Sequence, residues 1–165
     1  GNLSGKKIGI FLENSNSEAD FNRREGVCDT LKGTGAEIMW TVSRDEEIKR
    51  NTTLQSQRKV DIVLALDDTS FVEAGESVKQ NNLYGAIVYG IGNSTEAVYY
   101  LDARWAECLI VPAEFTAGYQ RVAETVNALR KTFYQMKNQE VPYTVLTRDN
   151  LFSKENQDLL FTLSK

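Results

Sequence analysis

The sequence predicts a doubly wound α/β domain: a mostly parallel sheet of five to six strands flanked by helices. Three observations predict it. Short apolar runs, almost free of polar members, recur along the 165 residues, as expected of strands covered on both faces. Segments with helical patterning separate them at the spacing of right-handed β-α-β crossovers. The runs also end abruptly in polar residues, which places those side chains at the carboxyl edge of the sheet, where open parallel sheets bind ligands. The clearest case is Val60 with residues 62–66, interrupted only by Asp61 and closing on Asp67, Asp68, Thr69 and Ser70. Asp67 is the preferred ligand contact. For Asp68 the preferred role is to cap and solvate the helix start, with Thr69 or Ser70 as N-cap.

Taken in order, residues 6–12 form the first strand and close on the polar loop 13–17, where Ser17 with Glu18 and Asp20 marks a helix start. That helix turns Phe21, Val27, Cys28 and Leu31 toward the sheet and stops at Gly33 and Gly35, a pair suited to a left-handed cap. Residues 37–42 give the second strand. Residues 45–58 give a polar helix anchored by Ile48 and Leu54. After the third strand, residues 70–82 form a helix with Phe71, Ala74 and Val78 inward, ended by Asn81 and Asn82. The fourth strand, 84–90, begins at Tyr84 and is closed by the loop 90–95. A short helix covers 96–103, and the fifth strand, 108–111, is broken by Pro112. Residues 113–136 carry the longest helical pattern, 141–147 a last extended segment, and the tail is mixed. With strand order 2-1-3-4-5, the switch point lies between the first and third strands. The loops 13–17 and 67–70 then face one another across a crevice, joined on the same edge by 90–95.

Composition narrows the function. A net charge of −4 without any Lys/Arg cluster argues against nucleic acid or an anionic membrane surface as partner. No apolar run has the length of a membrane span, and the first strand follows residues 1–5 without a signal-peptide pattern. With no histidine, the commonest general base and metal ligand are both missing. Catalysis, a metal site and a cofactor are therefore not expected. The glycines at 90 and 92 lack the third glycine of a dinucleotide loop. Cys28 and Cys108 lie in core-facing runs and are expected to be unpaired thiols.

Several motifs together carry a resemblance. They are Arg23-Arg-Glu-Gly-Val27, Asp67-Asp68 leading to Glu73-Ala-Gly75, Val88-Tyr-Gly-Ile-Gly-Asn-Ser-Thr-Glu-Ala97, Leu101-Asp102, Leu109-Ile-Val-Pro-Ala-Glu-Phe-Thr-Ala-Gly-Tyr119 and Val145-Leu-Thr-Arg-Asp-Asn150. In this order they resemble the C-terminal lobe of a type I periplasmic sugar-binding protein, a lobe shared with repressor effector domains. The resemblance covers nearly the whole chain as one lobe, residues 1–165, with a sheet core at 6–112 and a hinge crossing, long helix and closing segment at 113–165. It implies non-catalytic binding of a small polar, sugar-like ligand between this lobe and an N-terminal lobe that the sequence does not contain. It also implies an importer's membrane permease as partner and an extracytoplasmic location; the alternative it carries is the ligand-sensing domain of a regulator. Of the family's binding positions, Arg23 and Asp67 match, whereas Gly92 stands where an aspartate is usual and Pro112 where a glutamine is frequent. Asn93 is the substitute beside Gly92. With Asn14 and Asp68 from the facing loops, the candidate set is Arg23, Asp67, Asn93, Asn14 and Asp68.

In the resembled family the helix after Pro112 packs on the other lobe. Here Phe115, Tyr119, Val122, Val126, Leu129, Phe133 and Met136 repeat at spacings of four and three, an apolar stripe along one helix face. Two arrangements would cover it: a homodimer through residues 114–136, which is the expectation, or the helix folding back onto its own sheet.

Overall fold

A computed structural model of the chain describes residues 2–56, 59–80, 82–83, 85–131, 133–135 and 140–161. Its elements are β1 (Lys7–Leu12), α1 (Glu18–Leu31), β2 (Glu37–Ser43), a 3-10 turn (Arg44–Glu46) leading into α2 (Glu47–Ser56), β3 (Ile62–Ala65), α3 (Asp68–Lys79), β4 (Ile87–Ile91), α4 (Thr95–Asp102), β5 (Ala106–Pro112), α5 (Glu114–Arg130), β6 (Tyr143–Leu146) and α6 (Lys154–Phe161). One sheet runs β2-β1-β3-β4-β5-β6. Every neighbouring pair is parallel except β5 and β6, which are antiparallel. The chain therefore reverses direction once, after β5, and the reversal places β6 at the sheet edge.

Alternation along β1 explains how the two faces are filled. Ile8, Ile10 and Leu12 point to one side and pack with Val27 and Leu31 of α1. Phe11 points to the other, into a larger core with Val63, Phe71, Val88, Leu101, Leu109 and Leu146. Gly9 is on that second side because the Trp40 indole occupies its place: a Cβ there would lie 2.2 Å from two ring atoms. Phe11 meets the same indole edge to face, with ring centroids 5.5 Å apart.

Several expectations need correction. The N-cap of α3 is Asp67, not Thr69 or Ser70: it is extended, and its carboxylate accepts the Ser70 N–H. Ile48 is no anchor of α2, being 85% exposed, while Leu54 does pack against the core. Phe21 is also exposed and lies under the Arg24 guanidinium at 5.4 Å instead of facing the sheet. The long helix stops at Arg130, since Lys131 is extended and Phe133 takes a left-handed φ of 71°. Tyr134 then turns back to donate its hydroxyl to the Glu124 carboxylate at 2.9 Å. The expected ends of α2 at residues 57 and 58, and the positions Asn81, Tyr84 and Met136, lie outside the described residues. Gly33 and Gly35 do adopt left-handed φ values, 78° and 77°. Cys28 and Cys108 are free and half-buried.

Candidate functional site

The loops that leave the carboxyl ends of β1, β2, β3 and β4 are tied to one another by four aspartates. Asp67, 8% exposed, accepts the Glu13 N–H at 2.8 Å, the Ser70 N–H at 2.8 Å and the Ser70 hydroxyl at 2.7 Å. It thereby holds the end of β3 to the loop after β1 while capping α3. Asp20 accepts the Asn14 N–H at 3.0 Å, and its other oxygen takes Nη1 of Arg23 at 3.2 Å. The same Nη1 donates to the Leu66 carbonyl at 3.1 Å, so Arg23 bridges α1 and the end of β3. Asp45, after β2, accepts the Ser15 N–H and hydroxyl, each at 2.9 Å, and the Ser43 hydroxyl. These hydrogen bonds, the Ser43 hydroxyl first and the Ser15 N–H next, bring its pKa down to about 2. Asp68, finally, accepts the Asn93 N–H at 2.7 Å and the Ser94 N–H at 2.9 Å on Oδ1, joining the start of α3 to the loop after β4.

These ties shape an open cleft of about 590 Å³ between the loops, with Asn14, Asp20, Arg23, Arg44 and Asp67 among its walls. Three of the sequence-predicted residues, Arg23, Asp67 and Asn14, thus line one cleft at the predicted edge. Asp68 and Asn93 are joined to each other on the next pair of loops and do not line that cavity. Arg44 was missed. It follows β2 among Ser43, Asp45 and Glu46, a polar run that reads equally well as a solvated turn, and its guanidinium makes no hydrogen bond or close ion pair among the described residues, though its charge acts on Glu73. Phe71 is wholly buried in the core and unavailable to a ligand; Tyr89 is half-buried, and burial raises its phenol pKa. Gly92 leaves no empty space behind it: a Cβ there would lie 2.6 Å from Oδ1 of Asp68.

The arrangement offers hydrogen-bond donors and acceptors fixed by backbone ties. Among the described residues no group of three or more acidic or cysteine side chains is placed to hold a metal, and no helix is long and apolar enough to cross a membrane. A second cavity, about 530 Å³ and lined by Leu101, Arg104, Thr147 and Arg148, opens by the amino end of β5, away from the switch point.

No family model and no curated protein matches the sequence. Solved structures do match the fold. A carbohydrate-transporter solute-binding protein from Agrobacterium radiobacter, in complex with D-arabinose, superposes with a TM-score of 0.77 at 16% identity, over 94% of this chain and 55% of that one. GanP, a glucose-galactose binding protein from Geobacillus stearothermophilus, gives 0.78 at 14% identity, over 90% and 55%. A Caulobacter myo-inositol binding protein bound to myo-inositol gives 0.73 at 17%, over 94% and 56%. The fold is that of a type I periplasmic-binding lobe, and the chain spans a little over half the length of these structures.

Proposed function

We propose that the chain is one lobe of a two-lobed protein that captures a small polar, sugar-like ligand without transforming it and delivers it to an importer. The observation that carries this reading is the cleft at the carboxyl edge, with Arg23, Arg44 and Asn14 in its walls, on the same edge of the sheet at which the chain leaves β5 and returns to β6. Among the described residues the internal ties of Arg23 use Nη1 alone, which leaves Nη2 and Nε to fork onto ligand oxygens. The other half of the pocket comes from the second lobe. In such an assembly the protein is extracytoplasmic and its lobes dock on a membrane permease. The α5 stripe packs on the second lobe there, and on a second copy of the chain when this lobe is alone.

A thermal-shift screen of pentoses, hexoses and inositols on the protein carrying both lobes tests the reading. A bound sugar at one hundred times its Kd stabilises by about 2.7 kcal/mol, and Arg23→Met abolishes the shift. No shift with any member of the panel, or conversion of a bound sugar to product, overturns it.

A further inference from the structure

We propose that the sheet face over β4, β5 and β6 is a docking surface whose occupant is α5 of a second copy of this chain, the two copies exchanging helices reciprocally. The proposal takes from the function above only that α5 packs on a second copy when this lobe is alone, and it names the surface that receives the helix. A sheet of parallel strands is covered by helices on both faces. On one face α2, α3, α4 and α6 all reach the main core, through Leu54, Phe71, Leu101 and Leu160. On the other, among the described residues, only α1 packs, and its Val27 and Leu31 serve the β1 side. Past α1 the strand alternation turns Ile87, Tyr89, Ile91, Cys108, Ile110 and Val145 to this second face. They form one patch, because Tyr89 pairs with Cys108 and Ile110 lies between Ile91 and Val145. Ile87 and Val145 are exposed, the other four are half-buried, and none belongs to either buried cluster.

Length, charge and connection point to α5 of another copy. The 17 residues of α5 span about 25 Å and the 7 residues of β5 about 23 Å, so the helix matches the strand at the centre of the patch. A helix laid antiparallel to β5 from its carboxyl edge finishes at its amino edge. Arg130, which borders the stripe at the last turn, then comes opposite Glu107, the second residue of β5. Glu107 makes no hydrogen bond or close ion pair among the described residues, and after burial its charge is the next cause that raises the Tyr89 phenol and the Cys108 thiol. The connection keeps α5 off its own sheet. Ala113 alone separates β5 from α5, and its N–H is held by the Pro142 carbonyl. The connections that do return a helix to the sheet use residues 13–17, 66–67 and 92–94, or a 3-10 turn. Exchange covers the stripe and the patch of each copy, roughly 800 Å² per protomer, the size of a standard stable interface.

Cys108 is a built-in probe. It lies about 13 Å along β5 from Pro112, which on the docked helix is the level of Val122. The chain carrying Cys28→Ser and Val122→Cys is oxidised with copper phenanthroline at micromolar concentration, and the covalent species are sized on a non-reducing gel and mapped by peptide mass spectrometry. The expected product is a dimer joined between Cys108 of one copy and position 122 of the other. Ile110→Lys in the same background lowers its yield at least tenfold while the circular dichroism is kept; if that variant does not fold, the mapped links decide alone. A dimer joined only from 122 to 122 overturns the sheet face as the receiver and leaves the stripe as the contact. A link from 108 to 122 within one chain overturns the second copy in favour of the chain's own helix, and no link at all overturns the docking altogether. None of these outcomes bears on sugar binding, which the thermal-shift screen decides separately.

Discussion

Replacing Asp67 by alanine should weaken the fold itself, because this carboxylate is fully engaged inside the protein. Two losses combine. Helix α3 loses its N-cap, which costs about 1 kcal/mol. The Glu13 N–H, part-buried, loses its acceptor at 2.8 Å, and an unsatisfied donor in such a place costs about 1–3 kcal/mol. The sum is about 2–4 kcal/mol, or a melting temperature lowered by roughly 5–15 °C in a domain of this size. Urea unfolding followed through the buried Trp40 measures it. Asp67→Asn should fall between the two, since its oxygen still accepts from Ser70 while its amide meets the Glu13 donor. A loss below about 0.5 kcal/mol for Asp67→Ala, the ordinary size of a surface substitution, would refute the assignment of Asp67 as the tie between β1 and β3.

Gly92→Ala should destabilise by about 1–3 kcal/mol through overpacking, and by clearly less in an Asp68→Ala background; equal losses in both backgrounds would show that the two positions do not share space. Asp45 titrates in the folded chain at about 2 against an ordinary 3.8, so its stabilising effect is present above 3.8 and is lost as the pH falls through about 2. Melting curves taken down this range should therefore fall more steeply for the unaltered chain than for Asp45→Asn, and parallel curves would contradict the hydrogen bonds that lower its pKa. The isolated chain should be a dimer by light scattering, and Leu129→Glu, on the exposed stripe, a monomer; a monomeric unaltered chain, or a Leu129→Glu dimer, counts against the stripe as the contact.

Much of the fold was legible because burial on both faces of a strand leaves no room for polar residues. The run closing on Asp67 announces β3, and the glycines at 33 and 35 announce the end of α1. The end of α5 was not legible: its apolar spacing continues to Phe133, and only the left-handed backbone there breaks the helix. Ile48 and Phe21 misled for a related reason, since helical spacing tells which residues share a face but not whether that face meets the sheet. At the candidate cleft, Asp67 was singled out because an apolar run closes on it, and Arg23 by its place in the order of motifs. The division of labour between Asp67 and Asp68 was not, because neighbouring carboxylates look alike in sequence. What separates them is the extended backbone of Asp67, with φ −154° and ψ 170°, and partners 54 residues earlier for one and 25 later for the other.

The open cleft and the exposed face of α5 lie at the same edge of the sheet. β5 leaves the sheet at Pro112 and β6 returns at its partner Tyr143, and the two crossings are bound together by the Ala113 N–H donating to the Pro142 carbonyl at 2.8 Å. Both lie on the edge where the cleft opens, so α5 springs from beside the site. Phe115 and Leu129 on its stripe are 86% and 82% exposed, and no residue of α5 is buried. Ile87, Tyr143 and Val145 are exposed on the sheet face opposite the main core. Large apolar side chains are each worth about 1.5–3 kcal/mol when fully buried, so the exposed Phe115, Tyr119, Val122 and Leu129 of α5 together create a strong demand for a partner surface. A body that met this demand along α5 would start beside the carboxyl edge of the sheet, the edge at which the cleft opens. The contact that covers the helix and the wall that closes the cleft would then belong to the same partner, and disrupting one should loosen the other.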